Sequence, residues 1–259
     1  MRAGTTSVGR LIVGLASVIA AAALLPPPAD AVELPFPVVS VRGEATLGPQ
    51  ALSATEFRPT TLRLTSKIVS TDGTPLPQVE ILRFRLDPDI RLHVKSKGNC
   101  TKFEILDGTG SVSKACRRAI IGSGAAWLQE DSATVRLRLT LFKDGKAGQR
   151  SHFLAAARRS TGGPTFVGAG NIVEGGGSRR GESVEVDLAP LEPGVSVLRR
   201  TMLKFREAHA SGTAAVAVSA RCSSGSLATV AEAEFHPSTG SPKGEQITSE
   251  TVAGCAASK

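Results

Sequence analysis

Tyrosine is absent from this 259-residue chain, tryptophan occurs once at Trp127, and the aromatics together make up 4 % of residues. That scarcity argues against a sugar-binding module that stacks pyranose rings on exposed aromatics. It argues equally against single-strand nucleic-acid recognition through stacking platforms. The nine phenylalanines read as core. Histidine occurs four times, at His93, His152, His209 and His236, with no ligand spacing between any two. There is no G-x-S-x-G, no H-E-x-x-H, and Gly168-Ala169-Gly170 runs on to Val173 where a dinucleotide loop would place a third glycine, so those enzyme classes lose support. No cofactor is expected.

Long apolar runs are scarce too. One lies near the N-terminus, Leu11 to Leu25, preceded by Arg2 and Arg10 and followed by a proline break and Ala29-Asp30-Ala31. This is the pattern of a secretory signal peptide over residues 1–31. The rival reading, an uncleaved anchor, is weakened because a bilayer span needs roughly 20 apolar residues. The expectation is therefore a secreted or envelope-associated protein starting at Val32, a single domain over residues 32–259. Without Arg2, Arg10 and Asp30 the 31 Lys+Arg and 23 Asp+Glu become 29 and 22, a net charge of +7. Such a balance attracts anionic polymers. The plain alternative is solubility, since Arg63, Arg83, Arg136, Arg138 and Arg158 are scattered along the chain.

What is present is strand periodicity. Thr61 to Ile68, Ile90 to Lys95 and Thr134 to Leu141 alternate apolar and polar residues, the period of a half-buried strand. Val79 to Leu86, Ser183 to Leu188, Val195 to Phe205, Gly212 to Arg221, Leu227 to Phe235 and Gln246 to Val252 add short strands at regular spacing. Asp144-Gly145 announces a hairpin returning through Ser151 to Ala157. Between Ser111 and Gly124 the apolar residues recur at helical spacing, so one short helix is expected, stopped by Gly122 and Gly124. Gly162 to Gly181 reads as a glycine-rich loop. The fold class is all-β: an antiparallel β-sandwich, jelly-roll-like, with one short helix. Two half-domains split at the glycine-rich segment are the alternative.

The cysteines, Cys100, Cys116, Cys222 and Cys255, are too widely spaced for the close pairs of a structural zinc site. In an exported chain they read as two disulfides. Of the three connectivities the sequential one is expected, Cys100 to Cys116 and Cys222 to Cys255.

Two local features invite function. Glu185 and Asp187 share one face of a strand, the placement a polysaccharide hydrolase with paired carboxylates would use, although any strand with a wet side looks the same. Arg179-Arg180 in a glycine frame is the one local basic spot, a candidate anion contact. No metal site is expected: Asp87-Pro88-Asp89 lacks the remaining ligands of a calcium loop and reads as a turn.

IVSTDG at Ile68 to Gly73, KACRRAIIGSG at Lys114 to Gly124, the turn at Leu141 to Gly145, and SARCSSG at Ser219 to Gly225 with a last cysteine near the terminus resemble a group of uncharacterised exported proteins of actinobacteria. The resemblance spans most of Leu62 to Cys255 and implies an all-β secreted domain with two disulfides and no assigned activity. The functional expectation is a non-enzymatic extracellular or cell-envelope binding protein, with anionic envelope polymers as partners and no nucleic acid. The alternative is a secreted hydrolase acting through Glu185 and Asp187.

Overall fold

The computed structural model describes residues 39–48, 51–94, 98–106, 114–130, 132–144, 151–162, 165–175, 181–188, 196–205, 216–236 and 246–258. The expected signal peptide, and Arg179 and Arg180, lie outside them. All described residues belong to one compact unit, Pro35–Lys259.

The strands are β1 (Val39–Gly48), β2 (Ala51–Ser53), β3 (Arg58–Ser70), β4 (Val79–Arg85), β5 (Ile90–Val94), β6 (Ile120–Glu130), β7 (Ala133–Lys143), β8 (Ser151–Arg159), β9 (Thr165–Val173), β10 (Ser183–Asp187), β11 (Ser196–Phe205), β12 (Val216–Ala220), β13 (Ser226–Phe235), β14 (Gln246–Gly254) and β15 (Ala256–Ser258); the helices are α1 (Lys102–Leu106) and α2 (Lys114–Arg118). One long antiparallel sheet runs β14-β13-β4-β10-β9-β8-β7-β6-β11-β3, with β1 also paired to β3 and β12-β5 continuing from the start of β3. The sheet bends over, so that β1 lies against β13 and β14 without a shared ladder. Thr251 Oγ1 of β14 donates to the Gly43 carbonyl at 2.5 Å across that junction. The result is the expected all-β, sandwich-like architecture, left open rather than closed by hydrogen bonds.

Alternation builds the core. Along β3 it buries Leu62, Leu64, Ser66 and Ile68 and exposes Arg63 and Lys67. The same rule puts Leu82 and Phe84 of β4, Phe153 of β8, Val184 and Val186 of β10, Phe205 of β11 and Phe235 of β13 into one apolar interior. A second, smaller cluster sits outside the sheet: Phe142 and Ala156 are covered by Ala119 and the disulfide between Cys100 and Cys116. That cover is tied on by the Cys100 amide donating to the Lys143 carbonyl (3.0 Å) and the Lys143 amide to the Ala119 carbonyl (2.8 Å). It holds α1, capped reciprocally by Thr101 and Glu104: the Thr101 amide donates to Glu104 Oε2 (2.8 Å) and the Glu104 amide to Thr101 Oγ1 (3.2 Å), the capping box. The second disulfide joins Cys222 and Cys255, with Cα atoms 6.0 Å apart, beside the parallel pair β15-β2. The sequential pairing expected from the sequence is the one formed.

Three expectations need correction. Among the described residues there are two short helices, and the one near Cys116 ends at Arg118 instead of running on to Gly122. Gly122 and Gly124 lie inside β6, where a Cβ would sit 2.7 Å from the Lys204 carbonyl oxygen and 2.2 Å from that of Met202. They permit β6 to approach β11 closely. The Gly162–Gly181 segment is no simple loop, because β9 runs through it and pairs with both β8 and β10. Gly170 leaves room for the Phe153 ring, whose Cζ would lie 2.2 Å from a Cβ there.

Candidate functional site

The ladder register lines up side chains that are far apart in sequence. On the outward face of β1-β3-β11-β6-β7, the residues Arg42, Lys67, Arg200, Trp127 and Arg136 stand directly opposite one another in a single row. Two residues along each strand a second row follows, Glu44, Thr65, Met202, Ala125, Arg138 and then Arg158 of β8. A third holds Thr46, Arg63, Lys204, Ser123 and Thr140. The inward-facing residues of the same strands, among them Leu64, Leu137, Leu139 and Leu203, are buried, which forces the charged set outward. Eight cations therefore share these three rows with one carboxylate, Glu44. Among the described residues no ion pair engages any of the eight.

Two details give this face structure. The guanidinium carbons of Arg200 and Arg136 lie 4.9 and 5.5 Å from the Trp127 ring centroid, a cation–π arrangement that orients both forks. Beside Gly43 a recess of about 480 Å³ is lined by Arg42, Lys67, Arg200, Glu44, Thr65 and Thr251. Like charges directly opposite on neighbouring strands destabilise a sheet. This face carries four such pairs: Arg42 with Lys67, Lys67 with Arg200, Arg63 with Lys204, and Arg138 with Arg158.

The other layer is built oppositely. Across β13, β4 and β10 one row reads Glu232, Arg83, Glu185, alternating in sign. Arg83 Nε donates to Glu185 Oε1 (2.8 Å) and a terminal nitrogen donates to Glu232 Oε2 (3.0 Å); Arg85 reaches Glu232 Oε1 at 2.6 Å. Burial works to lower the Arg83 pKa, but hydrogen bonds to Glu232 and Glu185 outweigh it and the net shift is upward. Arg83, unlike Arg63, Arg136, Arg138 and Arg158, is thus not part of the cationic face. Glu185 borders a cavity of about 650 Å³ together with Arg83, Ser183, Val173, Gly175 and Gly181. Its carboxylate is held by the guanidinium, and Asp187 is exposed two residues on. His152 stands in the same row, two strands from Glu185 through Asn171, a backbone separation of about 10 Å at about 4.8 Å per strand.

The turn at Asp87 to Asp89 is fully used by the fold. Asp89 accepts from Arg221 Nε (2.7 Å) and from the amide and hydroxyl of Ser223 (2.8 and 2.5 Å). Burial pushes its pKa up, but these hydrogen bonds prevail and hold it below its ordinary value. Asp87 accepts from the amides of Asp89 and Ala228, both at 2.9 Å. Nearby Glu182 takes the Leu92 amide at 2.5 Å; burial, aided by Glu174, pushes its carboxyl up to about 7. Cys100, Glu104 and Cys116 bring their ligand atoms within 4.8 Å of one another, but both sulfurs are in the disulfide and the Glu104 carboxylate caps α1. His236 pairs with Glu80 at 2.5 Å.

Sequence reasoning does not find Arg42, Lys67, Trp127, Arg200 and Lys204 as members of a site. Alternation already places Arg63 with Lys67, and Arg136 with Arg138, on one side of their strands; the missing information is which strands are neighbours. The chain matches no protein-family model, and no curated protein is significantly similar to it.

Proposed function

We propose that this is an exported, non-enzymatic binding protein of the cell envelope, and that the outward face of β1-β3-β11-β6-β7-β8 holds anionic envelope polymers. The observation that carries the reading is the set of four directly opposed like-charge pairs. A face under no functional demand intersperses signs, as the Glu232-Arg83-Glu185 row does; local rules are broken where function requires it. A bound polyanion converts the repulsion into attraction. Edge protection explains charge on β1, but β11, β6 and β7 are interior strands. Arg179 and Arg180 remain a second proposed contact; Gly175 and Gly181, on either side of them in sequence, line the cavity on the other layer.

The test is retention of the protein on a cell-wall fraction across a salt gradient, with Lys67→Thr, and separately Arg179→Ala with Arg180→Ala, beside the parent. The screening length falls from about 10 Å at 0.1 M salt to about 3 Å at 1 M, so the parent elutes as salt rises. Lys67→Thr elutes earlier and, at low salt, is slightly more stable, because two opposed pairs are relieved at once. Retention indifferent to salt, or a Lys67→Thr variant that is weaker in both respects, would remove the proposal. An Arg179/Arg180 variant eluting with the parent removes only that second contact.

A further inference from the structure

We infer that the occupant of this face is a linear, base-free polyanion whose charges are phosphates, lying across the strands along the row Arg42, Lys67, Arg200, Trp127 and Arg136, with one phosphate seated in the recess beside Gly43. This rests on the binding function proposed above and adds the chemistry of the ligand. Five residues on five adjacent strands, each about 4.8 Å from the next, form a track about 19 Å long. The register keeps them in line.

Six of the eight cations on the face are arginines, whose planar fork matches phosphate oxygens bidentately where an ammonium offers a point charge. Trp127 decides between polymer types. An acidic polysaccharide would gain from a free aromatic face, but the indole already has Arg200 and Arg136 over it. The ring orients guanidinium groups instead of presenting itself to a sugar. Trp127 is the sole aromatic in the three rows of this face and it is engaged, so a nucleic acid lying here would find phosphate contacts but no free ring to stack on. The ligand that fits is a chain of phosphates whose linking groups need no recognition. In the recess Arg42, Lys67 and Arg200 converge.

Trp127 also reports on its own surroundings, since its emission is the sole indole signal of the protein. The experiment titrates the full chain with inorganic polyphosphate, polygalacturonate and an oligothymidylate, following Trp127 emission and, independently, the anisotropy of end-labelled polymer. For four phosphate contacts the affinity for polyphosphate falls about 50-fold between 50 and 200 mM salt; with Arg136→Ala and Arg200→Ala the fall is about 7-fold, from a slope of about −0.7 per contact. Replacing both by lysine preserves the slope and weakens binding, a result that loss of folding does not imitate; circular dichroism of each variant checks the fold. Emission that shifts with the same midpoint as anisotropy supports the track. Anisotropy showing binding while emission stays flat and the double variant binds like the parent overturns the track and leaves the binding function standing. Equal or tighter binding of polygalacturonate overturns the phosphate assignment, and tighter binding of oligothymidylate transfers the face to nucleic acid. No binding to any of the three refutes the track and the binding function together.

Discussion

Gly43→Ala tests the junction that turns one sheet into two layers. A Cβ at position 43 lies 2.0 Å from the Ala231 Cβ and 3.3 Å from its Cα, whereas carbon atoms pack at about 3.5 to 4.0 Å. The layers must therefore part locally by roughly 1.5 to 2 Å. Overpacking of this kind costs about 1–3 kcal/mol. The lower entropy of the unfolded alanine chain returns about 0.4–1 kcal/mol, so a net loss of about 1–2 kcal/mol is expected. Ala231→Gly alone removes a buried methyl, about 0.8 kcal/mol, and places glycine in a strand, about 0.5–1 kcal/mol. Combining the two moves the methyl from one layer to the other and refills the same space. Urea unfolding followed by far-UV circular dichroism should thus give a double variant less destabilised than the sum of the singles, by about 1 kcal/mol or more. The same double variant should recover the polyanion affinity that Gly43→Ala loses through displacement of Arg42. Strict additivity would refute the packing of β1 on β13 at this point.

Glu182 titrates at about 7 against an ordinary 4.5; because the folded value is the higher, its stabilisation is complete below pH 4.5 and is lost as pH rises through 7. Screening at this half-buried site reduces the effect to about 1 kcal/mol. Glu182→Gln keeps an acceptor for the Leu92 amide and should flatten stability across the window from 4.5 to 7; an unchanged pH profile would show that another group is responsible. Replacing Cys222 and Cys255 together by serine releases a loop whose ends are 33 residues apart, with an expected loss of about 4 kcal/mol by the chain-entropy model. A urea midpoint equal to the parent's would contradict that.

Much of the fold is written in local pattern. Thr61 to Ile68 and Thr134 to Leu141 alternate because each strand has one dry and one wet side, and a period of two survives in any neighbourhood. Where the pattern misleads, the cause is a partner outside the segment. Gly122 and Gly124 look like helix stops until the carbonyls of Lys204 and Met202 are seen beside them, and Gly170 looks like loop until the Phe153 ring fills its place. Glu185 and Asp187 are correctly set on one side of β10 by alternation, yet only strand order delivers Arg83 to Glu185.

The all-β class, most of the strands and the outward side of each charged strand are legible in the chain alone, because these depend on residues close together in it; the cysteine pairing is one of three the chain allows, and the fold selects it. It takes the assembled sheet to bring Arg42, Lys67, Arg200, Trp127 and Arg136 into one row while Arg83 is drawn into ion pairs on the other layer. Which strands become neighbours, and in which register, is set by long-range burial of the apolar sides, and that choice places like charges opposite one another without any trace in local spacing.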